Sequence, residues 1–146
     1  MAGNRTLAII KPDAVANGKI GAIVAHLEQE GFVVRAARLA RLAAAEAQAF
    51  YEVHRGRPFY DELVAFMTSG PCLPMALERE NAVAHYRQVI GATDPAEAAP
   101  GTIRKLHAES KGRNAVHGSD SDENARREIA FFFPEGELAG LWGAER

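Results

Sequence analysis

Apolar residues along the chain fall alternately into short continuous runs and into stripes of helical spacing. Leu7-Ala8-Ile9-Ile10 is an apolar run closed by Pro12, which cannot donate to a sheet ladder, and it predicts a buried strand. Ile20, Ile23, Val24 and Leu27 recur at i, i+3, i+4 and i+7 and predict a helix that Gly31 terminates. Phe32 to Leu42 is predicted as a long second strand from its valines, although Arg35, Arg38 and Arg41 break its alternation. An Ala-rich helix is predicted from about Ala44 to Val53, and Tyr60, Leu63, Val64 and Met67 mark another, closed by Ser69-Gly70-Pro71. Cys72 to Glu78 then predicts a strand, Ala82 to Ile90 a helix and Ala115-Val116 a final strand. The last long helix, Asp122 to Phe133, carries Ala125, Ile129, Phe132 and Phe133 on one stripe. Asp120 with Glu123 fits a capping box that would start this helix near Ser121. Strands and helices interleave, and the strands are few and short, which predicts helices covering one face of a small sheet.

Between the last strand and the last helix stands Asn114-Ala115-Val116-His117-Gly118-Ser119-Asp120-Ser121. His117 follows an apolar pair and precedes a glycine, predicting a tight turn at Gly118 and an imidazole that other groups can approach. Glu128 lies three residues after Ala125 and four before Phe132, at the margin of the apolar stripe, whereas Arg126 and Arg127 face solvent. A carboxylate drawn toward the core needs a polar partner, and His117 is the nearest candidate in the chain. Bound to one imidazole nitrogen, the carboxylate would fix the tautomer and leave the other nitrogen free as a nucleophile. On local pattern alone, a satisfied turn histidine and a surface glutamate at a helix margin explain the same residues equally well.

Composition narrows the picture without identifying the chemistry. A chain of 146 residues can bury about two thirds of its unfolded surface in one core, which predicts a single domain over residues 1–146. A net charge of −2 leaves no basic footprint for nucleic acid. The lone Cys72 cannot form an internal disulfide and reads as a small buried hydrophobe. The apolar runs fall far short of the ~18 residues that span a bilayer, and no signal-peptide pattern opens the chain, so no membrane partner and a cytoplasmic location are predicted. His26, His54, His85 and His107 lack metal-ligand spacing and read as structural or surface residues. Neither Gly-x-x-x-x-Gly-Lys-[Ser/Thr] nor Gly-x-Gly-x-x-Gly occurs, so any phosphate would be held by side chains rather than by a glycine-rich loop.

The run Asn114 to Asp120 resembles the active-site signature of the nucleoside diphosphate kinase family, with His117 at the position of the phosphorylated histidine. Arg5-Thr6-Leu7-Ala8-Ile9-Ile10-Lys11-Pro12-Asp13-Ala14-Val15 is similar to the family's first strand and phosphate-binding lysine. Phe50-Tyr51, Arg57-Pro58-Phe59, Phe66 to Pro71, Gly91-Ala92-Thr93-Asp94-Pro95 and Pro100-Gly101-Thr102-Ile103-Arg104 match further landmarks in order. The resemblance covers essentially the whole chain. It implies an α+β, ferredoxin-like βαββαβ sandwich, with a four-stranded antiparallel sheet, helices on one face and a long loop before the catalytic strand.

The implied reaction moves the terminal phosphate of a nucleoside triphosphate to a nucleoside diphosphate by a ping-pong route through His117, with Mg²⁺ arriving on the nucleotide phosphates and no protein-bound metal. The resemblance puts Lys11, Arg87 and Arg104 around the phosphates, Thr93 beside one phosphate, and Asn114 with Lys11 near the sugar. Phe59 would stack on the base, which implies broad base tolerance because every base has a π-face. Glu128 would orient His117, Ser119 would aim Glu128, and Tyr51 would present a phenol. Read without the resemblance, Phe59 is a core residue, Tyr51 a half-buried helix tyrosine, Ser119 a helix-start hydroxyl, and each arginine a solvated charge. The family also implies a homo-oligomer, a tetramer or hexamer built from dimers or a dimer alone, and Trp142 is a candidate interface anchor. Three positions depart from the pattern. Lys111 stands where an aliphatic wall for the base is usual, Arg79 replaces a glycine and implies a negative φ, and Pro74 interrupts a strand that would tolerate it at an edge or bulge. Lys111 is the one hint toward a second class, a nucleotide-binding interaction protein that has kept the fold and lost turnover.

Overall fold

The computed structural model describes residues 3–143; the ends of the predicted 1–146 span, including Ala144-Glu145-Arg146, lie outside them. The elements run β1 (Arg5–Ile10), α1 (Pro12–Ala16), α2 (Ile20–Gln29), β2 (Val33–Ala37), α3 (Ala44–Phe50), α4 (Tyr60–Met67), β3 (Leu73–Glu78), α5 (Ala82–Ile90), α6 (Ile103–His107), β4 (Val116–Gly118), α7 (Asp122–Phe132) and α8 (Glu135–Leu138). The four strands form one antiparallel sheet in the order β2-β3-β1-β4, the order of a βαββαβ fold with α3 and α4 inserted between β2 and β3.

Helices cover both faces of this sheet, which corrects the expectation of one covered face. Leu7 and Ile9 point into a core with Phe50, Val64, Met67 and Phe132, while Ala8 and Ile10 point into a second core with Ile23, Leu27, Tyr86 and Ile90. The continuous apolar run of β1 is the cause: a strand with no polar alternation loses water only when both faces are packed. Each fully buried Leu or Ile of this strand contributes about 1.5–3 kcal/mol relative to exposure. The centre of the fold therefore lies on β1, and the strand carrying His117 is bonded to it.

The second strand is shorter than predicted. Val34 pairs with Leu77 and Ala36 with Ala76, so Arg35 is an extra, bulged residue, and its guanidinium bonds Glu78 at 2.7 Å. A bulge shifts every later side chain to the other face, which is why the arginines broke the alternation. Regular pairing stops at Ala37, and one bridge, Ala40 to Cys72, follows. Pro74 lies in the interior strand β3 and not at an edge. Its carbonyl accepts from Arg38 N–H at 3.2 Å, so its missing donor faces β2 where that ladder is already interrupted, and pairing toward β1 stays in register through Ile9.

Two of the glycine expectations separate cleanly. Gly31 takes φ +91° after α2, as a helix terminator does. Arg79 needs no such conformation; the left-handed residue of its turn is Asn81 (φ 55°), and Arg79 Nε donates to the Glu30 carbonyl at 2.7 Å, capping the end of α2. The predicted Ala44–Val53 helix ends at Phe50 and tightens into a 3₁₀ turn over Glu52–His54. Trp142 is half-buried on its own chain, with the Arg5 guanidinium 4.0 Å above its ring. Among the described residues no helix is long and apolar enough to cross a membrane.

Candidate active site

The strand that carries His117 starts from a strained turn. Ala115 has φ +74°, and Val116 N–H closes on the Asn114 carbonyl at 2.8 Å, making a γ-turn of the rare positive-φ kind. A non-glycine residue held there costs on the order of 1–3 kcal/mol and persists only when its surroundings over-determine it. They do so here. Ala115 N–H donates to Asp13 Oδ2 at 3.1 Å, the Ala115 carbonyl accepts from Lys11 N–H at 2.8 Å, and Arg104 donates to the carbonyls of Asn114 (3.3 Å) and Val116 (2.9 Å). The end of β1 and the start of β4 are thereby locked together, and His117 leaves the lock one residue later.

His117 sits within β4, Val116–Gly118, and not in a turn after it. This corrects the predicted strand end at Val116 and the predicted turn at Gly118. Gly118 is required for close approach instead: a Cβ built there would lie 2.6 Å from Tyr86 Cδ2. The helix beyond is capped by Ser121, whose hydroxyl accepts from Asn124 N–H at 3.0 Å, in place of the predicted Asp120–Glu123 box. Asp120 is engaged with the Asn124 side chain at 2.6 Å.

Behind the imidazole the bonds form a chain. Glu128, at 6% exposure, holds His117 Nε2 at 2.9 Å from its Oε1, and the same oxygen accepts from Ser119 Oγ at 2.8 Å. Leu7 N–H in turn donates to Ser119 Oγ at 3.3 Å, which commits the hydroxyl proton to Glu128. A carboxylate can only accept, so in the neutral ring this bond favours the proton on Nε2 and leaves Nδ1 with the lone pair. The ring edge rests on Phe50 (centroids 5.3 Å, 68°) and Tyr51 (6.2 Å, 84°). Tyr51 is buried, its hydroxyl has no partner among the described residues, and burial first, then Cys72 and Glu128, push its phenol well above the usual range. It stays a donor.

The cationic groups gather on the other side of the turn. Lys11 Nζ donates to Asn114 Oδ1 at 3.0 Å, and Asn114 Nδ2 to the Thr93 carbonyl at 3.3 Å. Burial, and next the Arg104 guanidinium, pull the Lys11 ammonium down to about 8, with Asp13 opposing. Arg104 also donates to the Gly91 carbonyl at 3.1 Å, and burial holds it below the usual arginine range. Arg87, Thr93, Gly91 and Arg104 line a cleft of about 350 Å³. Arg87 and Thr93 are exposed in it.

Phe59 is 44% exposed and not in the core, its ring 5.2 Å from His54. Lys111 is exposed in a separate shallow hollow with Asp94, Lys105 and Glu109. Three residues of this neighbourhood escaped the sequence: Asp13, which pins the strained turn; Phe50, which packs the imidazole; and His54, read as structural or surface. His54 stacks on Tyr51 at 6.3 Å, and burial, then Arg57 and His117, hold its pKa below the usual histidine value. Asp13 stands directly after the Lys11-Pro12 pair, the one local signal that could have drawn attention to it.

A sequence model of the family described as "Nucleoside diphosphate kinase" matches residues 4–138. The nucleoside diphosphate kinase of Sorangium cellulosum (strain So ce56) is 63% identical over 139 residues, 95% of this chain and 96% of that protein. That of Chlorobaculum parvum is 60% identical over 92% of this chain and 96% of its own length. The crystal structure of the Aquifex aeolicus nucleoside diphosphate kinase superposes with a TM-score of 0.91 at 46% identity, covering 92% of this chain and 98% of that one. With the four-stranded antiparallel sheet, the match across nearly all of the chain and these identities, the chain belongs to the nucleoside diphosphate kinase family of phosphotransferases.

Proposed function

We propose that this protein exchanges phosphate between nucleoside tri- and diphosphates by a ping-pong route in which His117 Nδ1 is the nucleophile. The observation that carries the reading is the bond from His117 Nε2 to a buried Glu128 that Ser119 also holds. It leaves Nδ1 as the one ring nitrogen with a lone pair, fixed in direction before any substrate arrives. In the first half-reaction the Nδ1–P bond forms while the bond from the γ-phosphorus to its bridging oxygen breaks, and the nucleoside diphosphate leaves with that oxygen. In the second, a terminal oxygen of an acceptor diphosphate takes the phosphoryl group and Nδ1 is restored. Nε2–H stays bonded to Glu128 throughout, so the carboxylate balances the charge that develops on the ring.

Lys11, Arg87 and Arg104 suit the oxygens of the transferring group, whose charge is spread over three equatorial positions. Tyr51 can donate to the same group, and Thr93 and Asn114 flank the Lys11 side. Among the described residues the cleft offers cations, amides and hydroxyls and no cluster of metal-binding side chains. This donor set fits a magnesium ion held by the nucleotide's own phosphates, where it would spread their negative charge. An exposed Phe59 face accepts any base by stacking, worth about 1–3 kcal/mol per base in nucleic-acid systems, and supports broad base tolerance.

The full chain incubated with γ-labelled ATP and Mg²⁺ should acquire an acid-labile, alkali-stable label that GDP discharges. His117→Ala should take no label and lose turnover, and because the ring is only 17% exposed and packs on Phe50, a melting curve run beside it checks that the variant is folded. A His117→Ala protein retaining a tenth of parental turnover would sink the phosphohistidine reading.

A further inference from the structure

β4 is an edge strand, bonded to β1 on one side only. His117 pairs with Ile9 in the ladder to β1, while Val116 presents its carbonyl outward to Arg104, and α5 packs against this strand. From α5 the fully buried Tyr86 sends its hydroxyl to the His117 carbonyl oxygen at 2.9 Å. The tyrosine ring lies against Gly118, which has no Cβ to keep it away, and meets the edge of Phe32 at 5.9 Å on its other side. Ring packing fills the space; the hydroxyl adds a directional bond to the peptide that follows the nucleophile. Burial pushes the Tyr86 phenol upward, so it remains a donor across the working pH range. The next residue, Arg87, lines the cleft, and Arg104 joins the Gly91 carbonyl at the end of α5 to the Val116 carbonyl of β4. One turn of α5 therefore touches both the back of the nucleophile and the phosphate side.

We propose that Tyr86 is a positioning residue for phosphoryl transfer: its hydroxyl fixes the His117–Gly118 peptide and, through it, the seat of the imidazole between Glu128 and the cleft. This rests on the reading of His117 as the nucleophile. Glu128 sets the direction of the ring from its far end, and Tyr86 adds to the pairing with Ile9 in fixing the backbone from which the ring projects. A rotation of that peptide would move Nδ1 against a phosphorus that the cations hold independently, and sub-ångström misplacement is costly in a near-attack geometry.

Tyr86→Phe removes the oxygen alone and keeps the ring on Gly118. Two measurements on the full chain decide the matter. Single-turnover labelling of His117 by γ-labelled ATP should slow about 3- to 10-fold, the size of one neutral hydrogen bond expressed in the transition state, with KM for ATP unchanged. In the free protein, nitrogen-15 NMR of the His117 ring should show its nitrogens moving toward a mixed tautomer. A variant that melts lower yet keeps both ring signals and labelling rate has lost only packing, and the proposal is overturned. Slower labelling with unchanged ring signals also overturns it. Shifted ring signals in a protein that, like its parent, takes no label would instead remove the phosphohistidine reading and leave the link between Tyr86 and the His117 ring in place.

Discussion

The two sides of the His117 ring are built on opposite plans. Behind it, Glu128 and Ser119 are buried at 6% and 0% exposure and every bond runs within the protein. Toward the cleft, Arg87 and Thr93 stand exposed, as do Phe59 and, in its separate hollow, Lys111. If His117 carries the phosphate as proposed, it must hold one geometry through two half-reactions and gains from being fixed in advance. A surface that must take successive nucleotides gains from leaving its side chains to be ordered by the ligand, at the cost of their rotamer entropy. Lys11 lies on the boundary, buried like the first set and charged like the second.

The largest effect is expected from breaking the packed side. Glu128→Gln keeps a hydrogen-bonding group and loses the charge facing the imidazole, and turnover should fall about 10- to 100-fold, the range for carboxylates that orient a histidine. Nucleotide affinity should hardly move. Comparing kcat with the Kd for ADP checks both statements, and equal turnover in the two proteins would return Glu128 to a purely structural role.

At the boundary the test is pH. Free Lys11 titrates at about 8 while its unfolded counterpart titrates near 10.5. Between those values the unfolded state binds more protons, so this group makes stability rise with pH across that window. If Lys11 meets the nucleotide phosphates as proposed, binding runs the other way, because phosphates favour the ammonium. ADP affinity should fall as pH rises through 8, to about tenfold weaker at pH 9, with proton uptake on binding. Calorimetric titration in buffers of different ionisation enthalpy measures that uptake. Its absence would mean that Lys11 does not meet the phosphates.

The smallest effect belongs to the open side. If the Lys111 stem lies along the base, Lys111→Ile should tighten ADP binding by about 0.8 kcal/mol, the burial of one methylene. If its ammonium attracts the nucleotide, the same change should weaken binding most at low salt, where screening is least. Titration at two salt concentrations separates the two, and no change at either would detach Lys111 from the base.

What the sequence made legible follows the range of the interactions involved. Glu128 was readable because i+3 and i+4 spacing along one helix says which face a residue takes, and Ala125, Ile129 and Phe132 define that face within two turns. The unbroken Leu7-Ala8-Ile9-Ile10 run already carried the mark of a strand packed on both faces, although only one covered face was expected. The bulge at Arg35 was illegible because a register shift depends on the partner strand. So was the true position of His117, since three residues of β4 are too few to show a period. Asp13 accepts from a backbone donor 102 residues away, and nothing near it in the chain announces that partner.

The bond from Leu7 N–H to Ser119 Oγ joins positions 112 residues apart, and that separation governs when the site can exist. Closing so long a loop costs chain entropy that is recovered only once the intervening sheet and helices have docked. During synthesis β1 emerges well before α7, and Glu128 can meet His117 only once that helix is in place. A ribosome-bound fragment that ends short of that helix holds Lys11 and Arg104 but lacks Glu128, so the oriented imidazole forms late in synthesis.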